Sequence, residues 1–332
     1  MSASRTAHVL TGGATKETGD VEERSCPPVV YVVIPVFNRL EFTRACLSCL
    51  SRQTYPSLIL IVVDGGSTDG TPDAVRREFP GVIVLQGAKE LWWAGAMRAG
   101  ISYALEKSRN QSDMVLMMNN DTLIQPGYVG TLVRVSLEQR AAVGGLIVDM
   151  DDPARIVDGG EFIDWNTYTF RVKTVIGPGE NYVEGVDVLS GRGTLVPIAM
   201  IRQAGNVDAS AFPHYIADYE FFCRLKMCGF RLGVTYQDQV MARVQETGMM
   251  ATGRRLRFGE ALRLLFSNRS MDNMRDHWRF INRCAPRELR GKARRLLVAR
   301  QLRQIVLKTW LEGMALPLLR CMQGVRGKPN RI

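Results

Sequence analysis

The stretch MVLMMNNDTLI, from Met114 to Ile124, joins an apolar run to a polar end, and this combination decides which fold to expect. Its first five residues are typical of a short strand that is covered on both faces. The run stops at Asn119, Asn120 and Asp121, which a buried strand cannot take up cheaply. In an open α/β sheet, ligands bind beyond the carboxyl ends of the strands. A carboxylate there suits a hard divalent cation, although a simple Asn-rich turn explains the same residues.

On either side of this stretch, strand and helix patterns alternate. Strands are predicted at about 29–35, 58–63, 82–86, 114–118 and 143–148, and helices at about 38–52, from 72, at 94–107 and at 128–139. Asn38 and Glu41 have the spacing of a capping box at the start of the first helix. Strands that alternate with helices of this length indicate an α/β fold with a mostly parallel central sheet flanked by helices.

The pattern changes after residue 151, and it divides the chain into three parts. Hairpins are predicted in 155–190, and helices at 197–205 and 218–229, each ended by a glycine. We expect residues 1–28 to be a disordered leader, because they lack hydrophobic periodicity. Residues 29–250 form the predicted α/β domain, and 251–332 form a basic helical C-terminal extension.

Composition indicates an ordinary globular protein, with 46% hydrophobic and 23% charged residues among 332. The seven cysteines are scattered, and Cys46 and Cys49 fall on the apolar face of a predicted helix. We interpret these two as structural thiols, and we expect a reducing compartment. No apolar run has the length of a transmembrane helix, and the amino terminus lacks the apolar centre of a signal peptide. A cytoplasmic location is therefore expected.

Positive charge is concentrated at the carboxyl end of the chain. Residues 251–332 have a formal charge of +15 against +10 for the whole chain, which leaves 1–250 near −5. Such a tail binds polyanions in a salt-dependent way, but its aromatic residues are too few for a base-stacking platform, so no nucleic acid is expected. We expect the tail to contact an anionic membrane surface through its cations and through the helical face of Phe258, Leu262 and Leu265. The alternative is that its cations form a solvated face or a dimer interface. Assembly into a homo-oligomer is therefore one of the alternatives.

Two further motifs follow predicted strands. YVVIPVFNR, Tyr31 to Arg39, ends in a loop that opens a helix, and IVVDGGSTDGT, Ile61 to Thr71, places Asp64 at the carboxyl end of the second strand. The two glycines after Asp64 allow a sharp turn of the backbone. Its carboxylate is placed to accept hydrogen bonds from a base or ribose, while an ordinary βα loop explains either motif alone.

LWWAGAMRAGI, at 91–101, has little side-chain bulk where a helix starts. Phosphates of a ligand can therefore approach the backbone amides at this helix start. Close packing of the helix explains the same small residues, and the two interpretations are compatible.

In this order, VIPVFNR, VVDGGSTDGT, WWAGAMRAGI, MNND and DYEFFCRLKMCGF resemble the motifs of the family 2 glycosyltransferases, which have the GT-A fold. The likeness covers roughly residues 29–245, and it is similar in particular to the bacterial branch that includes rhamnosyltransferases. Each motif is weak alone, whereas five in this order and spacing are specific.

The resemblance implies an inverting transfer from a nucleotide-sugar donor to a hydroxyl of a glycan or lipid-linked acceptor, with Mg²⁺ or Mn²⁺ as cofactor. By position, Asp121 would hold the metal and Asp64 would contact the base. Asp218 would be the general base, and a helix N-cap is its alternative role. Glu220 stands where the branch often has Asp, so it is a rival base.

The resemblance also implies a set of donor-binding residues at the strand ends and in the glycine-containing loops. These are Pro35, Phe37, Asn38, Arg39, Asp64, Gly66, Trp93, Ala94, Gly95, Asn120, Arg192 and Arg243. Arg192 lies in the loop SGRGTLVP, at 190–197, which is the acceptor-proximal loop by analogy, and it would meet a phosphate of either substrate. Besides Glu220, two positions depart from the family pattern: Asn119 replaces an Asp, and Arg243 stands where many relatives have a histidine and would pair with the diphosphate. His214 is interpreted as a packed surface histidine.

Two other functions were weighed. A nucleotidyltransferase should have a glycine-rich phosphate loop after the first strand, where this chain has PVFNRLEF. A polyanion- or membrane-surface-binding protein on a catalytically weak GT-A scaffold is the remaining alternative, but it has no use for three aspartates at strand and helix ends. For the enzyme, the basic tail predicts a peripheral position at the inner face of the cell membrane.

Overall fold

The computed structural model describes residues 26–87, 91–243, 258–268 and 270–306. Its strands are β1 Val30–Val36, β2 Leu58–Asp64, β3 Ile83–Gln86, β4 Met114–Met117, β5 Thr122–Ile124, β6 Ala141–Asp149, β7 Ile156–Asp158, β8 Glu161–Asp164, β9 Thr169–Val172, β10 Tyr182–Glu184, β11 Thr194–Pro197 and β12 Arg231–Ala242. Its helices are α1 Leu40–Leu50, α2 Thr71–Glu78, α3 Trp92–Lys107, α4 Tyr128–Gln139, α5 Ile198–Ala204, α6 Ala217–Met227, α7 Phe258–Leu264, α8 Met274–Cys284 and α9 Arg290–Val306.

Ten of these strands form one mixed sheet, whose main order is β10-β12-β6-β11-β4-β1-β2-β3. β3, β2, β1 and β4 run parallel to one another, and β6 is parallel to β12. β11 is inserted between β4 and β6 and runs antiparallel to both. The predicted α/β fold with a mostly parallel sheet is confirmed, and the predicted bounds of the elements before residue 150 hold within two residues.

Helices cover both faces of the sheet because its central strands are apolar on both sides. Successive residues of a strand point to opposite faces, so Val33 packs in the cluster that contains α3, while Val32 packs in the cluster that contains α1. At Gly100 of α3 a Cβ would lie 2.3 Å from Val33 Cγ1, so the helix lies too close to the sheet for any side chain there. The close-packing interpretation of the small residues in α3 is therefore confirmed at this position. Cys46 and Cys49 are buried in α1, as expected for structural thiols.

The predicted capping box at the start of α1 is wrong. Arg39 is the N-cap, with φ 64°, and its side chain makes no capping hydrogen bond; the amide of Leu40, the first helical residue, instead donates to Asp69 Oδ2 at 3.1 Å. Asn38 is also left-handed, with φ 57°. These two residues turn the chain so that the Asn38 amide oxygen accepts a hydrogen bond from Thr68 N, at 2.9 Å, in the neighbouring loop. Asn38 therefore ties two loops together instead of starting a helix.

The described part of the basic region packs into the core of the domain. Phe280 and Ile281 of α8 and Ala293 and Leu297 of α9 are fully buried in the same cluster as α3 and α6. The expected helical character is confirmed where the structure describes it. Most of the predicted leader, and positions 244–257 and 307–332 of the chain, lie outside the described residues. Among the described helices, none has the length and apolarity needed to cross a membrane.

Candidate active site

The loops after β1 and β2 are joined into one rim at the carboxyl edge of the sheet. Asn38 N donates to Ser67 Oγ at 2.6 Å, and Gly65 N donates to Val36 O at 2.7 Å. Phe37 projects from this rim with half of its surface exposed, whereas Pro35 is buried in β1. Of the two, only Phe37 is therefore placed to meet a ligand through its side chain.

Asp64 ends β2, as predicted, and its side chain is fully buried. Its carboxylate accepts hydrogen bonds from Gly66 N and Ser67 N, each at 3.1 Å. Gly66 has φ +88°, a conformation that favours glycine. Asp64 and Gly66 therefore shape the β2–α2 loop, and contact of Asp64 with a base stays a prediction.

In the turn Asn119–Asp121, two of the three polar side chains bind neighbouring elements of the protein, and the third is the acidic group of the site. The Asn119 side-chain oxygen accepts from Trp93 Nε1 at 2.8 Å. Asn120 donates from its amide nitrogen to Thr43 Oγ1 at 3.0 Å, in α1. Both amides thus hold neighbouring elements in place. Asp121 is left as the acidic group of the turn, and its carboxylate lies 3.3 Å from the Arg39 guanidinium.

The Arg39 guanidinium lies beside Asp121, and the Arg243 guanidinium packs on the same Phe42 ring as Arg39. Arg39 and Arg243 are centred 5.7 Å and 5.1 Å from the middle of the Phe42 ring. Arg243 follows Ala242, whose partner across the β12–β5 ladder is Thr122, the residue after Asp121. This arrangement brings Arg39 and Arg243, two of the predicted donor-binding residues, close to the turn that contains the predicted metal residue Asp121.

Asp121 can bind a divalent cation only if most of the other ligands come from outside the described residues. The described residues hold no cluster of three His, Cys, Asp or Glu side chains suited to a metal. Mg²⁺ and Mn²⁺ can, however, bind through one carboxylate while phosphate oxygens and water complete their shell. The single buried carboxylate of Asp121 fits a cation that arrives with a diphosphate.

Trp93 connects the turn at Asp121 to the loop before β11. Its indole, held by Asn119, lies against Gly191, where a Cβ would be 2.3 Å from the ring atom Cζ2. Gly191 N in turn donates to Asp218 Oδ2 at 3.1 Å. The predicted metal and base residues are therefore joined through three intermediate residues, Asn119, Trp93 and Gly191.

Asp218 is the second residue of α6, and the alternative role as N-cap is wrong. The N-cap is Ile216, in a left-handed conformation with φ 65°. The oxygens of Asp218 accept from the backbone amides of Gly191 and Tyr219, at 3.1 and 3.0 Å. Burial raises the pKa of Asp218 above its ordinary value, against the lowering effect of these amides and of Arg192. A carboxylate with a raised pKa is better matched to accepting a proton near neutral pH.

Glu220 is placed quite differently, although it is only two residues from Asp218. Two residues of an α-helix are about 200° apart around its axis, so the two side chains do not share a face. Glu220 is buried, and its carboxylate binds Arg224 at 2.9 Å and Arg283 of α8 at 3.2 Å. These ion pairs join α6 to α8, which corrects the expectation that Glu220 competes for the role of base.

The amides at the start of α3 are used within the protein. Ala94 N donates to Pro213 O at 3.2 Å, and Gly95 N donates to Leu91 O at 2.9 Å. The expectation that these two amides meet phosphates is therefore wrong for Ala94 and Gly95, because each already has a backbone acceptor. Arg192 is half-buried and lowers the pKa of both Asp158 and Asp218, so it lies on the side of the predicted base.

Sequence reasoning missed a second carboxylate near Asp218. Glu161 opens the β8–β9 hairpin, and Tyr219 donates from its hydroxyl to Glu161 Oε2 at 2.5 Å. Burial, together with the charges of Asp158 and Asp218, raises the pKa of Glu161 to about 8. Glu161 is therefore mostly neutral at pH 7. No local motif marks this residue, since it lies in a short hairpin far from α6 in sequence.

Comparison with known proteins adds an independent finding. Residues 31–185 match the model of the family described as glycosyl transferase family 2. The chain is 28% identical over 116 residues to the glycosyltransferase GlyA of Streptococcus pneumoniae, which is 34% of this chain and 16% of GlyA. The match therefore spans well under two thirds of that relative.

Two further similarities cover more of the chain. Over 225 residues it is 28% identical to an N-acetylglucosaminyl-diphospho-decaprenol L-rhamnosyltransferase of Mycobacterium tuberculosis, 61% of this chain and 71% of the relative. The fold is similar to that of the mannosyltransferase PcManGT from Pyrobaculum calidifontis in complex with GDP-Man and Mn²⁺, with a TM-score of 0.50 at 16% identity. That likeness covers 91% of this chain and 82% of PcManGT.

Proposed function

We propose, from the match of residues 31–185 to glycosyl transferase family 2 and from the GT-A-like fold, that the chain transfers a sugar from a nucleotide-sugar donor to a hydroxyl acceptor. One observation carries the proposal. Asp121 and Asp218 are linked through Asn119, Trp93 and Gly191 at one edge of the sheet. A transferase of this kind needs a group for the leaving diphosphate and a group for the attacking hydroxyl, held at a constant separation.

On the donor side, Asp121 would hold Mg²⁺ or Mn²⁺ together with the diphosphate. When bound, the cation stabilises the negative charge that develops on the leaving phosphate oxygens. Arg39 stands beside Asp121, Arg243 packs on the same Phe42 ring, and both would supply positive charge to the same oxygens. Arginine suits this task because its planar guanidinium binds phosphate through two parallel hydrogen bonds. The similar fold of PcManGT, a complex with GDP-Man and Mn²⁺, supports this assignment.

On the acceptor side, Asp218 takes the proton of the attacking hydroxyl. The new bond forms between the acceptor oxygen and the anomeric carbon as the bond to the diphosphate breaks, and the proton passes to the Asp218 carboxylate. Attack from the face opposite to the leaving group inverts the anomeric configuration. The backbone amides of Gly191 and Tyr219 orient the carboxylate for this transfer. A positioned base of this kind typically contributes about 10² to 10⁴ in rate.

The rhamnosyltransferase relative, which covers 61% of this chain, supports one class of substrate. Its name specifies an L-rhamnosyl donor and a diphospho-decaprenol acceptor. We therefore propose a rhamnosyl- or hexosyl-type donor and a lipid-linked glycan acceptor for this chain.

A lipid-linked acceptor would require the protein to work at a membrane surface. Along α8, α9 and the turn between them, several cationic side chains are exposed. These are Arg275, Arg279, Arg283, Arg287, Lys292, Arg295 and Arg303. Each cation near an anionic leaflet contributes on the order of 1 kcal/mol, so a few contacts hold a protein there at low salt. The same cations favour the second candidate function, binding to an anionic surface without catalysis.

Release of nucleotide from a panel of nucleotide-sugars tests the proposal. The full chain is offered each donor with Mn²⁺, with Mg²⁺ or with a chelator, in the presence and absence of a polyprenyl-diphosphate-linked sugar. We expect one donor to release nucleotide faster when acceptor and metal are both present. If no donor releases nucleotide above the rate without protein, the chain is not a transferase, and binding to anionic vesicles alone would then favour the second candidate.

A further inference from the structure

Three aromatic rings lie in a row beside the predicted base, and they have no part in the mechanism above. Trp92, His214 and Tyr215 form this row, which we call the aromatic shelf. The centroids of the Trp92 and His214 rings are 5.7 Å apart, and those of His214 and Tyr215 are 4.3 Å apart. At these distances the neighbouring rings pack in contact, tilted to each other by 39° and 44°.

The shelf runs from the start of α3 to the predicted base. At one end, Trp92 is the first residue of α3, next to Trp93, whose ring contacts Gly191. At the other end, Arg192 lowers the pKa of both Tyr215 and Asp218, so Tyr215 lies near the same guanidinium as the base. From the Trp92 end, the contacts toward the donor-side residue Asp121 pass through Trp93, which donates a hydrogen bond to Asn119. The shelf is therefore on the acceptor side of the site.

The rings of the shelf are partly open and carry no charge at neutral pH. Trp92 is 36% exposed, and His214 and Tyr215 are half-buried. Burial lowers the pKa of His214 to about 4, so its imidazole is neutral at pH 7. An uncharged aromatic surface with a phenol at one edge suits a ligand that is apolar on one face and polar around its rim.

The backbone around the shelf is energetically unfavourable, which is typical of functional sites. Trp92 has φ +50° and Ile216 has φ +65°, although neither is glycine. Within the described part of the chain, His214 Nδ1 is buried without a hydrogen-bond partner. The hydrogen bond from Ala94 N to Pro213 O holds the start of α3 against the segment that precedes α6. The fold thus maintains the shelf at the expense of local stability.

We infer that the aromatic shelf binds the acceptor sugar, which is a pyranoside with equatorial substituents and hence an apolar ring face. This inference rests on the proposed function. The C–H groups of such a face carry partial positive charge and stack on the negative faces of aromatic rings. A pyranose stacked on Trp92 and Tyr215 has its hydroxyls at the rim, and one of them faces Asp218. Trp92 and Tyr215 are then specificity-determining residues for the acceptor.

Binding of simple sugars tests this inference without any need for turnover. The probes are methyl β-D-glucopyranoside, with all its ring substituents equatorial, and sorbitol, which has similar hydroxyls but no ring face. Dissociation constants are measured by saturation-transfer NMR for the full chain and its variants. Trp92→Leu is compared with Trp278→Leu, because Trp278 of α8 is 38% exposed and does not belong to the shelf. Tyr215→Ala is compared with Tyr215→Phe, which keeps the ring.

We expect Trp92→Leu and Tyr215→Ala each to weaken binding of the pyranoside about tenfold, and Trp278→Leu and Tyr215→Phe to leave it within about twofold. Sorbitol should bind no variant. The inference is overturned if the wild-type chain does not bind the pyranoside, or if Trp92→Leu and Tyr215→Ala bind it as the wild type does. Should Trp92→Leu fail to fold, the pair of Tyr215 variants decides the matter.

A separate measurement distinguishes this inference from the proposed function. Binding of nucleoside diphosphates with Mn²⁺ reports on the donor side alone, and it should be unchanged in all four variants. If the nucleotide binds and turns over but no variant changes pyranoside binding, the shelf is refuted and the transferase stands. If no nucleotide-sugar turns over but pyranoside binding depends on Trp92, the transferase is refuted and the sugar site stands.

Discussion

Replacing Asp218 by Asn and Glu220 by Gln should separate catalysis from stability within a single helix. Asp218→Asn keeps the size of the side chain but cannot take up a proton. If Asp218 is the base, kcat should fall by about 10² to 10⁴, which corresponds to about 3 to 5 kcal/mol of activation free energy. Asn has only one acceptor oxygen for the amides of Gly191 and Tyr219, so one hydrogen bond is lost. That loss costs about 1 kcal/mol of unfolding free energy, and removal of a buried charge offsets part of it.

Glu220→Gln should have the opposite effect. The Glu220 carboxylate is 1% exposed and neutralises the guanidinium groups of Arg224 and Arg283. Breaking a buried ion pair by removing one partner costs about 3 to 5 kcal/mol, and the remaining amide oxygen makes the lower end more appropriate here. Because Glu220 points away from Asp218, kcat should stay within about threefold at temperatures where the variant is folded.

The two variants are assayed by nucleotide release at saturating donor and acceptor and by urea unfolding followed by circular dichroism. Binding of nucleoside diphosphate should be unchanged in Asp218→Asn, which serves as the control for an intact donor side. In the wild type, the acidic limb of the kcat/KM profile should lie above the ordinary pKa of an aspartate, because burial raises the pKa of Asp218. A folded Glu220→Gln that has lost 10²-fold or more in kcat, together with an active Asp218→Asn, would refute this reasoning.

Three further predictions concern the metal, a buried acid and the basic surface. Asp121→Ala should abolish transfer through loss of the metal ligand, and near-normal turnover at saturating Mn²⁺ would contradict this. Glu161→Gln should match the wild type in unfolding free energy at about pH 3, where Glu161 is protonated in both the folded and the unfolded chain. As the pH rises to about 8, the variant should become more stable than the wild type by a few kcal/mol. The reason is that the raised pKa of Glu161 stabilises the wild type at low pH, and this stability is lost as the pH approaches 8. Equal pH profiles of urea unfolding for the two proteins would exclude a buried neutral Glu161. Lys292→Glu with Arg295→Glu should reduce flotation with anionic vesicles at low salt but not alter thermal unfolding, since both side chains are exposed; unchanged flotation would exclude this surface.

The last experiment uses surface substitutions and not a shortened chain, because part of the basic region is packed in the core of the domain. A chain ended near Thr252 would lose vesicle binding if the cations beyond that point are responsible for it. It would also lose Phe280 and Leu297 from the main core. Loss of flotation by such a shortened chain would therefore not distinguish a missing anchor from an unfolded domain, whereas exposed cations can be changed without touching the core.

The sequence by itself determined the sheet and the positions of its acidic strand ends. Apolar runs such as Met114–Met118 are local signals, because a strand covered on both faces must be apolar along its whole length. The polar residue that ends such a run is local as well, which is why Asp64 and Asp121 were placed correctly from their motifs. The alternation with helices then requires parallel strands, whose carboxyl ends meet at one edge.

Only the tertiary structure decided what those side chains contact. Asn119 meets Trp93 and Glu220 meets Arg283 across 26 and 63 residues, and no period in the sequence encodes such pairs. The antiparallel β11 was missed for the same reason, since its direction depends on the gap between β4 and β6 and not on its own four residues. The protonation of buried acids also depends on the tertiary structure. Glu161 has a raised pKa only because folding buries it and brings it near Asp158 and Asp218. Burial and neighbouring charge are properties of the folded chain, so the acid that the sequence left unmarked became visible only in three dimensions.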